Sequence, residues 1–130
     1  MINKKIVTTS IDSRGLATVT LNNPDKRNSF DDSIIAELTA AFNTVANDDK
    51  TRIMVLASNG KTFSAGADLN WMKRMAHYSL GENLADARAL AEMLKVLNFM
   101  PKPTIARVQG ATFGGAVGLV SCCDMAIASR

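Results

Sequence analysis

A glycine-rich stretch at residues 108–124, VQGATFGGAVGLVSCCD, has residue types and a spacing that could support chemistry. A β-rich run at residues 104–108 precedes it and small apolar residues follow it, which predicts a strand, a turn and a buried helix. The first amides of a helix have no partner within it, and they lie at the positive end of its dipole. Gly114 and Gly115 would let a ligand approach this backbone closely. The turn could therefore hold a phosphate or a developing oxyanion.

The same glycines also fit a turn that serves only close packing before an apolar helix. A phosphate-binding loop is another alternative, because residues 110–115 have its glycine spacing. However, Ala116 and Val117 stand where that loop needs a lysine and a serine or threonine, and the GxGxxG dinucleotide pattern is absent from the sequence. The sequence therefore favours an amide-donor site without a charged clamp. Such a site suits a neutral carbonyl that gains negative charge during a reaction.

A second unusual stretch, KTFSAGADL at residues 61–69, is predicted to pass from a short strand through Gly66 into a helix near Asn70. Asp68 could be catalytic, but a carboxylate directly before a helix is more typical of an N-cap. His77 and Tyr78 lie in a polar break between predicted helices, where a surface position is the usual one. Trp71, Met72 and Met75 could line a substrate pocket, although a core position is more usual at this spacing. Lys73 and Arg74 could contact phosphate groups of a ligand, although a solvated face is more usual. Asp124 is expected to end the buried helix or to pair locally.

Composition limits the class of protein. The chain has 130 residues, of which 47% are apolar and 21% are charged, so we expect one globular domain. No apolar run approaches the length of a membrane span, and residues 1–5 lack the apolar segment of a signal peptide. A net charge of +3 fits an anionic small ligand but is weak evidence for nucleic acid. The adjacent Cys122 and Cys123 cannot complete a four-ligand zinc site, so we expect no metal, and they suggest core thiols in a reducing cytoplasm.

The periodicity of the chain predicts the elements that position these stretches. Two strands at residues 5–12 and 16–21 flank a turn, and a helix that Ser29 caps follows a loop at residues 22–28. An apolar run at residues 53–57 is typical of a central strand. A helix at residues 82–99 and a last strand at residues 125–129 complete the order. The apolar stripe of the helix at residues 82–99 comprises Leu84, Ala87, Leu90, Met93, Leu94 and Leu97. This order indicates ββα units in an α/β layer.

Three segments in order resemble the crotonase, or enoyl-CoA hydratase/isomerase, superfamily: ATVTLNNPDKRNSF, FSAGADL and VQGATFGGAVGLVSCCDMAIAS. The stretches AGADLNWMKRM and ARVQGATFGGAVG look similar to bacterial hydratases that act on 3-methylglutaconyl-CoA or γ-carboxygeranoyl-CoA. The resemblance implies a crotonase-like (ClpP/crotonase) spiral of ββα units. It also implies an acyl-CoA thioester substrate, with coenzyme A as part of the substrate and no separate cofactor.

The resemblance assigns site residues by position. The backbone amides of Ala67 and Gly115 match the oxyanion hole of the family, where a thioester enolate would be held. Five residues match the positions at which the family contacts the adenine and pantetheine parts of coenzyme A: Ala65, Gly66, Ala67, Asp68 and Leu69. The acyl-side wall matches Ala111, Thr112, Phe113, Gly114 and Gly115. Lys26 and Arg27 match a loop near the nucleotide phosphates.

Two departures from the family pattern affect these expectations. Gly118 occupies a position where many hydratases of this family have a catalytic glutamate. The family's usual chain also continues beyond Arg130, so we expect an N-terminal portion that is incomplete as a catalyst by itself. Its second carboxylate and the helices of a homotrimer or dimer of trimers would lie beyond that residue. An isomerase or another enolate-forming enzyme remains an alternative, and RNA binding is one of a different class. Few aromatics and unclustered basic residues argue against RNA.

Overall fold

The computed structural model describes residues 4–130. Residues 1–3, which belong to the segment assessed above for a signal peptide, lie outside the described residues. In chain order, the strands are β1 (Val7–Ile11), β2 (Leu16–Leu21), β3 (Ile53–Ser58), β4 (Thr104–Val108) and β5 (Met125–Ala128). The α-helices are α1 (Asp32–Asn47), α2 (Leu69–Met75), α3 (Leu80–Asn98) and α4 (Gly115–Ser121), and a 3-10 turn covers Pro24–Lys26.

The five strands form one sheet in the order β1-β2-β3-β4-β5. β1 and β2 form an antiparallel hairpin, whereas β2 to β5 are parallel to one another. Ala17, Val19 and Leu21 are buried as the alternation in the sequence predicts, and β3 is central between β2 and β4. The predicted strands are therefore confirmed, with shifts of one or two residues at the ends of β1 and of one residue at the C-terminal ends of β3 and β5.

A short extended segment follows each of β2, β3 and β4 before the next helix begins. These segments pair with one another through parallel bridges, Phe30 with Ala67 and Ser64 with Thr112. Each repeat is thus a long strand, a short extended segment and then helical structure, which confirms the expected ββα units. The bridges place the two glycine-containing stretches side by side.

The start of α1 differs from the sequence prediction. Ser29 does not cap this helix; Asp31 does, because its Oδ1 accepts the Ile34 N–H at 3.0 Å. Ser29 is buried beside the extended segment instead, and its Oγ lies 3.4 Å from Asp68 Oδ2. The pairing of Phe30 with the turn at Gly66 keeps the chain extended for two more residues than predicted.

The core lies between the sheet and the helices α1 and α3. Its largest fully buried side chains include Phe42, Leu38, Leu56, Met93 and Leu97. The predicted apolar stripe of α3 is only partly correct, because Met93 and Leu97 are buried while Leu84 is 45% exposed. α3 therefore packs through its C-terminal half.

α4 is less buried than its composition predicts. Only Ala116 and Leu119 of this helix are buried, and Val117 is 50% exposed. β5 is exposed along its whole length. Among residues 4–130, no helix combines the length and the apolar character that crossing a membrane requires.

The cap of α1 provides a test of how this helix is held. Partial burial raises the pKa of Asp31, but hydrogen bonds from Ser33 and from the Ile34 N–H outweigh it, so the pKa lies below its ordinary value. A carboxylate with a depressed folded-state pKa stabilises the fold above its unfolded pKa, and this contribution is lost as the pH falls through the folded value. We expect Asp31→Ala to lower the free energy of unfolding by about 1 kcal/mol at neutral pH.

Urea unfolding of the parent and the variant, at neutral pH and below the ordinary aspartate pKa of about 3.9, measures this difference. The difference should shrink in acid. Asp49→Ala, at an exposed carboxylate beyond the end of α1, is the control and should change little at either pH. A difference for Asp31→Ala that stays constant with pH would show that the charged carboxylate contributes nothing to the cap.

Candidate active site

The direction of the Ala67 amide is set by its neighbours. Phe30 N–H donates to Gly66 O at 2.9 Å, and Asp68 N–H donates to Phe30 O at 2.9 Å. Gly66 C=O and Ala67 N–H belong to one trans peptide, so they point in opposite directions. Ala67 N–H therefore points away from Phe30, and it donates a hydrogen bond to no group among residues 4–130.

The Gly115 amide is free for a similar reason. It is the first residue of α4, where the helix offers its N–H groups no acceptor. Gly114 C=O accepts from Val117 N–H at 3.0 Å, so Gly115 N–H points out of the helix and has no acceptor within the described chain. Gly114 has φ 54° and ψ −128°, a conformation that favours glycine, and an added Cβ would face open space.

These two turns are in direct contact. Gly66 has φ +85°, and a Cβ added to it would lie 2.5 Å from Phe113 O and 3.3 Å from Gly115 N. A Cβ added to Gly115 would lie 2.9 Å from Cζ of the buried Phe30. Both turns therefore lie against Phe30, and the contact of one turn with the other requires glycine at position 66. Together they bring two unpaired amides to one part of the surface.

A cleft of about 550 Å³ opens beside Ala67. It contains six residues that the sequence analysis named for the site: Lys26, Arg27, Ala65, Ala67, Asp68 and Leu69. It also contains three that were not named for it, Asp25, Ser29 and Asn70, and Lys73, for which a phosphate contact was the lesser alternative to a solvated face. Lys26, Arg27 and Lys73 give the cleft an excess of positive charge over Asp25 and Asp68.

The residues predicted for the acyl side lie at the other turn. Ala111, Thr112 and Phe113 pair with the stretch at Ser64, since Phe63 N–H donates to Ala111 O and Phe113 N–H donates to Ser64 O at 3.1 Å. Gly118 lies on α4 opposite α3, where an added Cβ would be 3.5 and 3.6 Å from the two Leu94 methyl groups. That is ordinary contact, so a small side chain fits at position 118.

Asn28 positions the loop of Lys26 and Arg27. It is 1% exposed and has φ 53°, a conformation that asparagine tolerates better than most residues. Its Nδ2 donates to Asn59 O at 2.7 Å and to Thr62 O at 3.0 Å, while its Oδ1 accepts from Asn23 N–H at 2.8 Å. Sequence reasoning missed this residue, because nothing local shows that two distant backbone groups, of Asn59 and Thr62, converge on it together with nearby Asn23.

Asp68 acts as the predicted helix cap. Its Oδ1 accepts from Asn70 N–H at 2.8 Å and from Trp71 N–H at 3.0 Å, so this carboxylate is committed to starting α2. Asp124 also pairs locally as predicted, since its Oδ2 accepts from Thr104 N–H at 2.8 Å. Neither carboxylate is left without a partner.

The remaining candidates separate into core and surface. Trp71 is buried and donates from Nε1 to Asp86, whereas Met72 is 52% exposed and is not the core residue that its spacing predicted. Arg74 is not simply solvated, because it forms an ion pair with Asp32 at 2.6 Å. His77 is exposed in the break before α3, as predicted.

The two cysteines contribute no reactive thiolate. Burial raises the pKa of Cys123 to about 11 and also raises that of Cys122. Both thiols therefore remain protonated at neutral pH. The described part of the chain contains no group of three or more His, Cys, Asp or Glu residues arranged to hold a metal ion.

Comparisons with known proteins bear on the family and the fold of the chain. Residues 12–130 match the family model described as enoyl-CoA hydratase/isomerase. The chain is 33% identical over 88% of its length to trans-2-decenoyl-[acyl-carrier-protein] isomerase of Streptococcus mutans, of which it covers 44%. It is 34% identical over 82% of its length to the human mitochondrial Delta(3,5)-Delta(2,4)-dienoyl-CoA isomerase, of which it covers 35%.

A solved structure described as an enoyl-CoA hydratase from Shewanella pealeana superposes with a TM-score of 0.92 at 44% identity, over 95% of this chain and 46% of that one. The chain thus spans less than half the length of these relatives. The superposition shows that its α/β architecture is the crotonase-like fold. The chain therefore belongs to the enoyl-CoA hydratase/isomerase family.

Proposed function

We propose that the protein is an enoyl-CoA hydratase-type enzyme that acts on an α,β-unsaturated acyl-CoA thioester. The observation that supports this most is the pair of unpaired amides, Ala67 N–H and Gly115 N–H, on two turns in contact at Gly66. Both would donate to the thioester oxygen. Family membership supports the CoA thioester as the substrate class.

The reaction places negative charge where these amides point. Water oxygen bonds to the β-carbon as the water gives a proton to a general base, and the electrons of the carbon–carbon double bond shift so that the thioester oxygen becomes an enolate oxygen. The α-carbon then takes a proton, and the thioester carbonyl re-forms. Fixed amides stabilise the enolate more than the neutral carbonyl, so they lower the barrier.

The cleft supports the coenzyme part of the proposal. Lys26, Arg27 and Lys73 would attract phosphate groups, and Ala65 would lie beside the extended pantetheine arm on the way to Ala67. The amide of Ala65 itself is occupied, because it donates to Arg27 O at 2.9 Å. This hydrogen bond joins the loop of Lys26 and Arg27 to the turn that contains Ala67, the proposed oxyanion donor.

An isomerase is the second candidate, and two relatives described as isomerases favour it. Isomerisation would use the same enolate, but the α-carbon would lose a proton and another carbon would gain one, without water. The RNA-binding alternative has little support in the structure, because Phe30, Phe42, Phe63 and Trp71 are buried and unable to stack on bases, which leaves Phe99 and Phe113 as the exposed phenylalanines. A homotrimer or a dimer of trimers belongs to the proposal as well.

The amide of Ala67 can be removed directly. We expect Ala67→Pro, which lacks the N–H, to lower turnover by on the order of 10²–10³, because one oxyanion donor is lost. Binding of free CoA should change far less, since the amide faces the thioester end. Steady-state kinetics with crotonyl-CoA and calorimetric titration with CoA, on protein made from its complete coding sequence, measure the two effects.

Ala67→Ser is the matched control, because it changes the side chain and keeps the amide. It should keep turnover within a few-fold of the parent. Equal losses in Ala67→Ser and Ala67→Pro, or an unaffected Ala67→Pro, would contradict the assignment of this N–H to the oxyanion.

The contact between the two turns gives another test. We expect Gly66→Ala to lower the free energy of unfolding and turnover together, because its Cβ would meet the backbone at Phe113 and because φ +85° strains an alanine. Gly81→Ala is the control within α3, where the nearest atom to an added Cβ lies at 3.9 Å. It should be neutral or stabilise by up to about 1 kcal/mol. A Gly66→Ala protein as stable and active as Gly81→Ala would show that the turns need no glycine contact.

The finer substrate proposal concerns Gly118. Glycine there leaves out a carboxylate and the volume of a glutamate side chain, which would suit a bulky, branched or carboxylated acyl chain such as 3-methylglutaconyl-CoA. We expect Gly118→Glu to lower kcat/KM for the branched dicarboxylic substrate relative to crotonyl-CoA. The reasons are repulsion between the new glutamate and the carboxylate of the substrate, and the loss of pocket volume to the glutamate side chain.

Gly118→Ala separates these two causes, because its Cβ fits in ordinary contact with Leu94 and adds no charge. The substrate ratio should change little in that variant. If Gly118→Glu processes the branched substrate as well as the parent does, Gly118 is a packing residue and the branched-substrate proposal is wrong.

A further inference from the structure

Ser64 links both turns of the site to the loop of Lys26 and Arg27 through its polar groups. It is 0% exposed, and its Oγ donates to Asn28 O at 2.7 Å and accepts from Gly66 N–H at 3.1 Å. Its backbone N–H donates to Ala111 O at 3.3 Å, and its C=O accepts from Phe113 N–H. One buried residue therefore connects three segments that are distant in sequence.

These bonds bear on the direction of the Ala67 amide. The bond from Gly66 N–H to Ser64 Oγ fixes the peptide before Gly66, and the bond from Phe30 N–H to Gly66 O fixes the peptide after it. With both peptides held, φ of Gly66 stays at +85° and Ala67 N–H has one direction. Without the hydroxyl, the peptide before Gly66 would lose this bond, and Phe30 alone would hold the peptide that carries Ala67 N–H, so its direction would be less firmly fixed.

We propose that Ser64 is a positioning residue for the enolate site. Its hydroxyl holds the turn at Gly66, so that Ala67 N–H points to the place that Gly115 N–H reaches from the other turn. It acts through these amides and does not touch the substrate. The inference rests on the proposed function, because it assigns a role within the same oxyanion site.

Acetoacetyl-CoA is a probe that reports on this site without turnover. Its 3-keto thioester ionises to an enolate with an ultraviolet band of its own, so a pH titration of the complex gives the pKa of the bound ligand. Aligned amides lower this pKa, because they favour the enolate over the keto form. The protein is made from its complete coding sequence, and the titration is compared with that of the free ligand.

We expect Ser64→Ala to raise the pKa of the bound acetoacetyl-CoA by at least about one unit, a tenfold loss of preference for the enolate. The dissociation constant of free CoA should change less than threefold, and kcat for crotonyl-CoA should fall more than KM rises. Ser64→Cys should shift the ligand pKa in the same direction by a smaller amount, because a thiol is a weak donor and acceptor. If Ser64→Ala does not fold, the ligand pKa in Ser64→Cys tests the proposal in its place.

Thr104→Val is the matched control. Thr104 is also a buried hydroxyl with two bonds, since its Oγ1 lies 3.2 Å from Asp124 Oδ2 and accepts from Asp124 N–H at 2.9 Å. Both variants should lower Tm, but only Ser64→Ala should shift the pKa of the bound ligand. If Ser64→Ala lowers Tm as Thr104→Val does and leaves the ligand pKa unchanged, Ser64 is structural only and the inference is wrong.

The parent protein separates this failure from that of the proposed function. If the parent binds acetoacetyl-CoA and lowers its pKa, the oxyanion site stands and only the role of Ser64 depends on the variants. If the parent does not bind acetoacetyl-CoA, or binds it without lowering its pKa, the proposed function and the inference both fail.

Discussion

The contact of Gly66 with the next turn is the constraint on which the rest of the site depends. The space beside its Cα is filled by Phe113 O and Gly115 N, so no side chain fits between the two turns. A larger residue would separate the amides by moving the turns apart. The ladder of short extended segments, at Phe30, Ser64 and Thr112, sets the distance at which the turns meet.

The long strands determine which of the short extended segments become neighbours. β2, β3 and β4 are neighbours in one parallel sheet, so the segments that leave their carboxyl ends also become neighbours. Phe30 then fills the space beneath them with a buried ring, and its backbone pairs on both sides of Ala67. The helices differ in how firmly they are held, because α1 is mostly buried on one face while α4 is half exposed.

Much of the fold was predictable because it depends on local patterns. Leu16–Leu21 alternates with period two, and Thr104–Val108 follows two prolines, so both strands were placed at their observed bounds. Asp68 was identified as a cap because a carboxylate before a helix has a local acceptor role. Resemblance to a family, rather than periodicity, suggested Ala67 and Gly115.

The missed features depend on contacts between distant residues. Ser29 was a reasonable cap by its type, but pairing of Phe30 with the Gly66 turn delays the helix until Asp31. Asn28 and Ser64 look ordinary in sequence, and their buried hydrogen bonds to other segments exist only after the chain has folded. The exposure of Leu84 and Val117 likewise reflects which faces the neighbouring elements cover.

The donors proposed for the enolate are main-chain amides, and this has a consequence for the chemistry of the site. A backbone N–H does not titrate in the working range of an enzyme, and thiol or amine reagents do not modify it. The charge-stabilising part of the site would therefore keep its strength across pH and in oxidising conditions. Any pH optimum or inactivation by a side-chain reagent would then report on the groups that move protons or hold the coenzyme, and not on the enolate donors themselves.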